Sequence, residues 1–187
     1  PSLGAEFPDG LPYGICAGNH DQTPIGDANG STAFYNQYFG IARFTGRNYY
    51  GGGHRGTNDN WFDLFSGGGM DFINIGLEYD TTPDVTVLDW ADSLLKAYPN
   101  RRAMVSTHNL INTGNPGSWS TQGLAIYDAL KDNANLFLML GGHVPGEGRR
   151  SDVSRAAPCT RCCRTTRAAR SAVADSSASW SSRRPTT

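Results

Sequence analysis

Three of the four histidines in this chain stand just beyond a short apolar run and have polar or glycine neighbours. Apolar runs of five to seven residues are typical of buried strands. Side chains at strand ends are often ligands or catalytic groups, because a rigid element holds them in place. If the strands share one sheet, their ends can converge. The three are His20 in Gly18-Asn19-His20-Asp21, His108 after residues 103–107, and His143 after residues 136–140.

The residue types at these strand ends suit a divalent transition metal next to a proton-transferring group. Asn19 offers an amide oxygen, and His108 and His143 offer imidazole nitrogens, which such metals accept as ligands. His20 would be left for general acid–base chemistry, because imidazole changes its charge near neutral pH. The spacing therefore predicts a metal-binding or catalytic site at one edge of a sheet.

The order of these motifs resembles that of the calcineurin-like metallophosphoesterases. That family has five blocks, which are Asp-x-His, Gly-Asp, Gly-Asn-His-Asp/Glu, a single His and Gly-His-x-His. Residues 11–150 contain the third block, the fourth and most of the fifth. The resemblance implies a mixed α/β (α+β) fold with two stacked mixed β-sheets flanked by helices, which is incomplete here.

The resemblance also implies an activity and a role for each residue. The implied reaction is hydrolysis of a phosphomonoester or phosphodiester by a hydroxide that bridges two divalent metal ions of the Fe, Mn or Zn type. Asn19, His108 and His143 would be ligands of one of these metals. His20 would protonate or stabilise the leaving oxygen, and Asp21 would orient His20. The partner would be a small-molecule or macromolecular phosphoester.

Two departures from the family pattern predict an impaired site. The first two blocks, which supply most ligands of the first metal and the bridging carboxylate, are missing, and Asp9-Gly10 has the wrong order and lies too close to Gly18. In the last block, Pro145 stands where the family has a second histidine. We therefore expect about half of a dinuclear site, with weak or no metal binding and little activity, so that the hydrolase function belongs to a parent enzyme.

The glycine-rich segment 46–60 is predicted to be a loop, and long loops in compact domains are often functional. Within it, His54 is either a solvated loop histidine or a substrate contact, and Arg55 could hold a phosphate oxygen. A different class of function is a non-catalytic domain on the same scaffold. Such a domain would bind a ligand or partner through the loops at 46–60 and 112–120.

Hydrophobic periodicity predicts the elements that must position these residues. Strands and helices alternate in the second half and a hairpin lies in the middle, which suits a mixed α/β domain with helices outside the sheets. The Thr82-Pro83-Asp84 sequence is predicted to open a helix that ends before Pro99. The predicted strands are 11–17, 61–65, 70–79, 101–107 and 135–140, and the other predicted helices are 32–40 and 121–132.

Composition divides the chain near residue 150. Residues 1–150, the predicted partial metallophosphoesterase domain, carry 9 Lys and Arg against 15 Asp and Glu, whereas residues 151–187 carry 7 Arg against 2 Asp. The tail has no Leu, Ile, Phe or Tyr, so we expect it to be disordered or translated out of frame. The other interpretations are a zinc site or a basic arm that binds nucleic acid. The zinc site would use Cys159, Cys162 and Cys163.

Length and charge set broad limits on the function. A chain of 187 residues suggests one domain, and a net charge of −1 gives no signal for nucleic acid or a membrane surface. No apolar run approaches the ~20 residues that a transmembrane helix needs. The first residue, Pro1, suggests a start that has been cut, so the N-terminus does not distinguish a cytoplasmic from an exported protein.

Overall fold

The computed structural model describes residues 11–152, which form a five-stranded mixed β-sheet with two helices packed on one face. A two-stranded sheet lies beside it. In chain order, the strands are β1 Tyr50–Gly53, β2 Trp61–Gly67, β3 Met70–Leu77, β4 Arg102–Thr107, β5 Ile111–Gly114, β6 Gly117–Trp119 and β7 Leu136–Leu140. The large sheet has the order β1-β2-β3-β4-β7, and β5 pairs with β6.

The direction of the strands determines where the candidate residues lie. The pairs β1–β2 and β2–β3 are antiparallel, whereas β3–β4 and β4–β7 are parallel. The carboxyl ends of β3, β4 and β7 therefore lie at the same edge of the sheet. His108 and His143 follow two of these three strands, and Glu78 and Tyr79 follow the third.

Four helices complete the described part, namely α1 Ala33–Phe39, α2 Ile41–Phe44, α3 Val85–Ala97 and α4 Thr121–Leu130. Side chains cap both longer helices, because Asp84 accepts a hydrogen bond from the backbone of Thr86 and Ser120 accepts one from Gly123. The apolar sides of α3 and α4 pack on one face of the sheet. Their core includes Ile73, Ile75, Ala91, Leu95, Val105, Ile126, Leu130 and Met139.

Most of the predicted elements are confirmed in type and approximate position. The hairpin, the strand before His108, the apolar strand before His143 and the three predicted helices are all present. The mixed α/β class is therefore confirmed, with one mixed sheet and one small sheet. None of the helices in the described residues is long and apolar enough to cross a membrane.

The strand predicted at residues 11–17 is wrong. The carbonyl of Ile15 accepts hydrogen bonds from the hydroxyl of Tyr35 and the indole N–H of Trp61, at 2.6 and 2.8 Å. The carbonyl of Ala17 accepts a hydrogen bond from the backbone N–H of Tyr79, which lies just beyond the end of β3. The segment is extended, but side chains rather than a neighbouring strand satisfy its backbone.

Both predicted loops contain strands. Residues 50–53 form the edge strand β1, where the glycines serve close packing: a Cβ on Gly51 would lie 2.1 Å from the ring of Phe62. Residues 112–120 contain most of the β5–β6 hairpin, whose turn is Asn115-Pro116. Glycine, asparagine and proline mark hairpin turns as well as loops, so composition alone did not separate the two.

A smaller correction concerns the start of α3. The residues Thr82-Pro83-Asp84 are predicted to open this helix, but Asp84 is its N-cap and the backbone N–H of Thr82 bonds to the side chain of Asp80. At the other end of the described chain, the guanidinium of Arg150 stacks 4.4 Å from the ring centre of Trp119 and bonds to Asp152. Residues 153–187, on which the frameshift, zinc and nucleic-acid predictions depend, lie outside the described residues.

Candidate functional site

Three of the predicted ligands meet at the carboxyl edge of the sheet. The Nε2 atom of His108 lies 2.9 Å from the amide oxygen of Asn19 and 3.0 Å from Nδ1 of His143. We call these three residues the histidine cluster. They are separated by 89 and 35 residues along the chain, so the fold and not local sequence brings their polar atoms together.

The parallel pair β4–β7 positions the two histidines. His108 follows the end of β4, and His143 lies three residues after the end of β7. The backbone N–H groups of Gly142 and His143 both donate to the carbonyl of His108, at 2.9 and 2.7 Å. These two bonds tie the loop after β7 to the end of β4, which fixes the separation of the two imidazoles.

Asn19 comes from a different kind of element, the short 3-10 helix Asn19–Asp21. Its backbone carbonyl accepts a hydrogen bond from Gly26 at 2.9 Å. The preceding residue, Gly18, lies against the ring of His108, where an added Cβ would be 3.2 Å from Cε1 and Nδ1. The glycine of this motif therefore provides the space in which the His108 ring reaches Asn19.

Hydrogen bonds alone do not satisfy all three polar atoms of the histidine cluster. If Nε2 of His108 carries the hydrogen, it must share it between Asn19 and His143, and if it does not, its lone pair faces the amide oxygen of Asn19. A cation would satisfy all three electron-pair donors at once. Two ligands that bond at roughly 2.1 Å and at a right angle lie about 3.0 Å apart.

The charge state of His108 also suits a ligand. Burial is the main cause that lowers its pKa, and the neighbouring imidazoles of His143 and His20 lower it further, against the opposing effect of Asp21. A lowered pKa keeps the imidazole neutral, which is the form that binds metals. The half-buried position of this histidine thus favours a free lone pair.

The donor set fits one metal ion but not two. No group of three or more His, Cys, Asp or Glu side chains that could hold a metal occurs within residues 11–152. The histidine cluster has two histidines, and its third donor is the amide of Asn19. Pro145, where the resembled family has another histidine, is exposed and has no ligand atom in its side chain.

His20 and Asp21 lie in the same short 3-10 helix as Asn19, and among the described residues no hydrogen bond joins their side chains. The carboxylate of Asp21 accepts the backbone N–H of Gly18 at 2.8 Å, which stabilises the turn. The imidazole of His20 is exposed and has no hydrogen-bond partner in the part of the chain that the structure describes. The role of Asp21 in orienting His20 therefore stays a prediction. Its hydrogen bond to the backbone of Gly18 stabilises the conformation of the motif.

His54 and Arg55 lie elsewhere, in a short 3-10 helix between β1 and β2 whose side chains reach α3. The ring of His54 packs 5.1 Å from that of Trp90, and burial followed by the charge of Arg55 lowers its pKa. The guanidinium of Arg55 bonds to Thr86 at 2.8 Å and lies 3.4 Å from the carboxylate of Asp84. Among the described residues, neither makes a hydrogen bond or ring contact with the histidine cluster.

Tyr79 is a site residue that the sequence analysis missed. Its ring centre lies 5.8 Å from that of His108 and 5.6 Å from that of His143, so it packs against both imidazoles. Tyr79 follows β3, the third strand whose carboxyl end lies at this edge. The rule that indicated the two histidines, a polar residue just beyond a buried strand, would have indicated Tyr79 as well.

Comparison with known proteins gives one informative relative. The chain is 33% identical over 144 residues to an uncharacterized protein, YvnB, of Bacillus subtilis (strain 168). The match covers 76% of this chain but 11% of that protein, so the chain spans a small part of its relative. No family model matches the chain, and no solved structure matches it significantly.

Proposed function

We propose that this chain is part of a calcineurin-like metallophosphoesterase, with the family's two-sheet fold in its complete form, and that it takes part in metal-dependent hydrolysis of phosphoester bonds. The observation that supports the proposal is the approach of Asn19, His108 and His143, whose polar atoms lie 2.9 and 3.0 Å apart. All three stand in motifs of that family and in the family's order. Asn19 lies in the Gly-Asn-His-Asp block, His108 is the single histidine, and His143 lies in the partial Gly-His block.

In this proposal, Asn19, His108 and His143 hold one divalent metal of the Fe, Mn or Zn type. When bound, such an ion polarises phosphoryl oxygens and acidifies water. The exposed imidazole of His20, one residue from Asn19, is free to approach a leaving oxygen and to donate a proton to it. Tyr79 packs on the two ligand rings and limits their rotation.

The test is metal-dependent release of nitrophenol from mono- and bis-nitrophenyl phosphate. The chain is compared with its His20→Ala and His54→Ala variants at equal metal occupancy. We expect the chain to release nitrophenol slowly and only with metal. The His20→Ala variant should lose this activity, and the His54→Ala variant should retain it. Protein that has bound metal and releases no nitrophenol above the rate of metal in buffer would contradict the proposed activity.

The second candidate is a non-catalytic domain that binds a ligand or partner on the same scaffold. Two observations favour it: residues 11–152 contain no group of three or more His, Cys, Asp or Glu side chains that could hold a metal, and the carboxylate of Asp21 accepts the backbone N–H of Gly18. The segments 46–60 and 112–120 would be its binding surfaces, as an edge strand and an exposed hairpin. Metal binding without hydrolysis in the nitrophenol assay would support this candidate.

A further inference from the structure

A cavity of about 20 Å³ lies between the end of β3 and the helices α3 and α4. This volume admits a water molecule or the end of a small ligand. We call it the acidic cavity. Its walls are Asn60, Leu77, Glu78, Asp80, Pro83, Asp84, Val87, Leu88, Gln122 and Ile126.

The lining of the acidic cavity contains acidic residues and no basic ones. It contains the carboxylates of Glu78, Asp80 and Asp84, and none of its ten residues is Lys, Arg or His. The guanidinium of Arg55 reaches Asp84 at 3.4 Å, but both side chains are largely exposed there, so this ion pair offsets little of the charge inside.

Gln122, which lines the cavity, has a buried amide oxygen without a hydrogen-bond donor among the described residues. Gln122 is 1% exposed, and its Nε2 donates to the carbonyl of Glu78 at 2.6 Å and to the hydroxyl of Thr107 at 3.0 Å. Its Oε1 has no partner among the described residues. A buried acceptor without a donor is costly, which points to a donor that a ligand supplies.

Glu78 likewise lacks a positive partner. Its two carboxylate oxygens accept hydrogen bonds from neutral amides, from Asn60 at 2.8 Å and from Gln22 at 3.3 Å. Burial, with a smaller contribution from the charge of Asp59, raises the pKa of Glu78 to about 7. A buried carboxyl held by amides alone would gain most from a cationic ligand.

The other walls indicate what kind of cation fits. Val87, Leu88 and Ile126 present apolar side chains to the same cavity, which suit an alkyl chain better than a hydrated ion. No set of three acidic, His or Cys residues that could hold a metal ion is present in residues 11–152. An ammonium group needs hydrogen-bond acceptors but no fixed coordination geometry.

We propose that the acidic cavity binds a small primary alkylamine in its ammonium form. The ammonium group lies between the carboxylate of Glu78 and Oε1 of Gln122, and the alkyl chain contacts Val87 and Leu88. This proposal is independent of the phosphoesterase function, because it uses none of the residues of the histidine cluster.

The test uses n-butylammonium as the probe and n-butanol as its uncharged counterpart, followed through the side-chain amide resonances of Gln122. We expect butylammonium to shift these resonances with a Kd on the order of 1 mM, and butanol to bind at least tenfold more weakly. Equal binding of the two probes would overturn the proposal. So would a response to Ca²⁺ without any response to butylammonium.

Variants separate the cavity from general charge effects. Glu78→Gln should weaken butylammonium binding at least tenfold, and Asp80→Asn, which removes a second carboxylate of the lining, should weaken it about threefold. The matched control is Asp71→Asn, which removes an exposed carboxylate at the far end of the same strand, β3, and should leave the affinity unchanged. An equal loss in Asp71→Asn, or no loss in folded Glu78→Gln and Asp80→Asn proteins, would overturn the proposal.

Discussion

The histidine cluster and the acidic cavity each use one of the two residues that follow β3: Tyr79 packs on both histidines, and Glu78 lines the cavity. In both, burial favours the neutral form of a titratable side chain: it lowers the pKa of His108 and raises the pKa of Glu78 to about 7. The consequences differ. A neutral imidazole has a lone pair for a metal, whereas a neutral carboxyl has lost the charge that would attract a cation.

Burial therefore has opposite effects on the two candidate sites. In the histidine cluster it prepares the ligands before metal arrives. In the acidic cavity it makes the charged form of Glu78 unfavourable until a cation binds. The histidine cluster should therefore bind its ligand as folded, while ligand binding in the acidic cavity should be coupled to loss of a proton.

The largest expected effect comes from removing the central ligand of the histidine cluster. His108→Ala takes away the atom that lies close to both Asn19 and His143, so we expect Zn²⁺ or Mn²⁺ affinity to fall by ~100-fold or more. Isothermal titration calorimetry measures it. The control is His54→Ala, a histidine packed on Trp90, which should bind metal like the unmodified chain. Similar losses in both variants would contradict the assignment.

The raised pKa of Glu78 in the acidic cavity should make the free energy of unfolding depend on pH. Because the pKa of Glu78 is raised from 4.5 to about 7, the folded state binds more protons than the unfolded state between these values. The free energy of unfolding therefore falls as pH rises from about 4.5 through 7 and levels off only about one unit above 7, and Glu78→Gln should remove about 2 kcal/mol of this fall. Urea unfolding at pH 4.5, 6 and 7.5 measures it.

Two variants calibrate that measurement. Asp71→Asn, at an exposed carboxylate of the same strand, should keep the full slope. Burial also raises the pKa of Asp63 from 3.8 to about 7, so Asp63 should still contribute to the fall in stability with pH in the Glu78→Gln protein. A Glu78→Gln protein whose stability falls with pH as steeply as that of the unmodified chain would show that Glu78 is ionised in the folded state.

A smaller effect is expected from filling the space beside His108. The backbone of Gly18 has a φ of −94°, which alanine adopts without strain, but the new Cβ would lie 3.2 Å from the His108 ring. Gly18→Ala should displace the ring and weaken metal binding about tenfold, which is ~1.4 kcal/mol. Gly67→Ala, whose Cβ would meet no atom within 4 Å, is the control. Unchanged affinity in Gly18→Ala would show that the ring has room to move.

The smallest effect should come from the aromatic contact with both histidines. Tyr79→Leu removes a ring that packs on His108 and His143, and such contacts are worth about 0.5–1.5 kcal/mol. We expect roughly threefold weaker metal binding, again by calorimetry. Tyr79→Phe keeps the ring and should bind like the unmodified chain. If Phe weakens binding as much as Leu does, the hydroxyl and not the ring is the important group.

The fold could be predicted where periodicity is strong. The alternating β3 strand, the apolar β7 strand and the two capped helices each satisfy one simple pattern, and all were located to within a few residues. The pattern failed at residues 11–17, where an apolar segment bonds to Tyr35 and Trp61. It also failed at β1, because glycines chosen for close packing on Phe62 look like loop glycines.

The candidate site could be predicted in part for the same reason. His108 and His143 stand after strands whose parallel pairing follows from the alternation of strands and helices, so their approach was foreseeable. Glu78 and Tyr79 occupy an equivalent position after β3 but belong to no recognised motif. Gln22 and Gln122 lie far from Glu78 in sequence, and both donate hydrogen bonds to it only because the chain folds. No local sequence pattern indicates these contacts.

The most direct test of the account follows the imidazole nitrogens by ¹⁵N NMR while Zn²⁺ is added to the full chain. We expect the resonances of Nε2 of His108 and Nδ1 of His143 to shift together and to saturate at one equivalent of metal, while those of the His54 nitrogens do not shift. If Zn²⁺ leaves both His108 and His143 unchanged, or shifts His54 first, the histidine cluster is not a metal site and the proposed function loses its support.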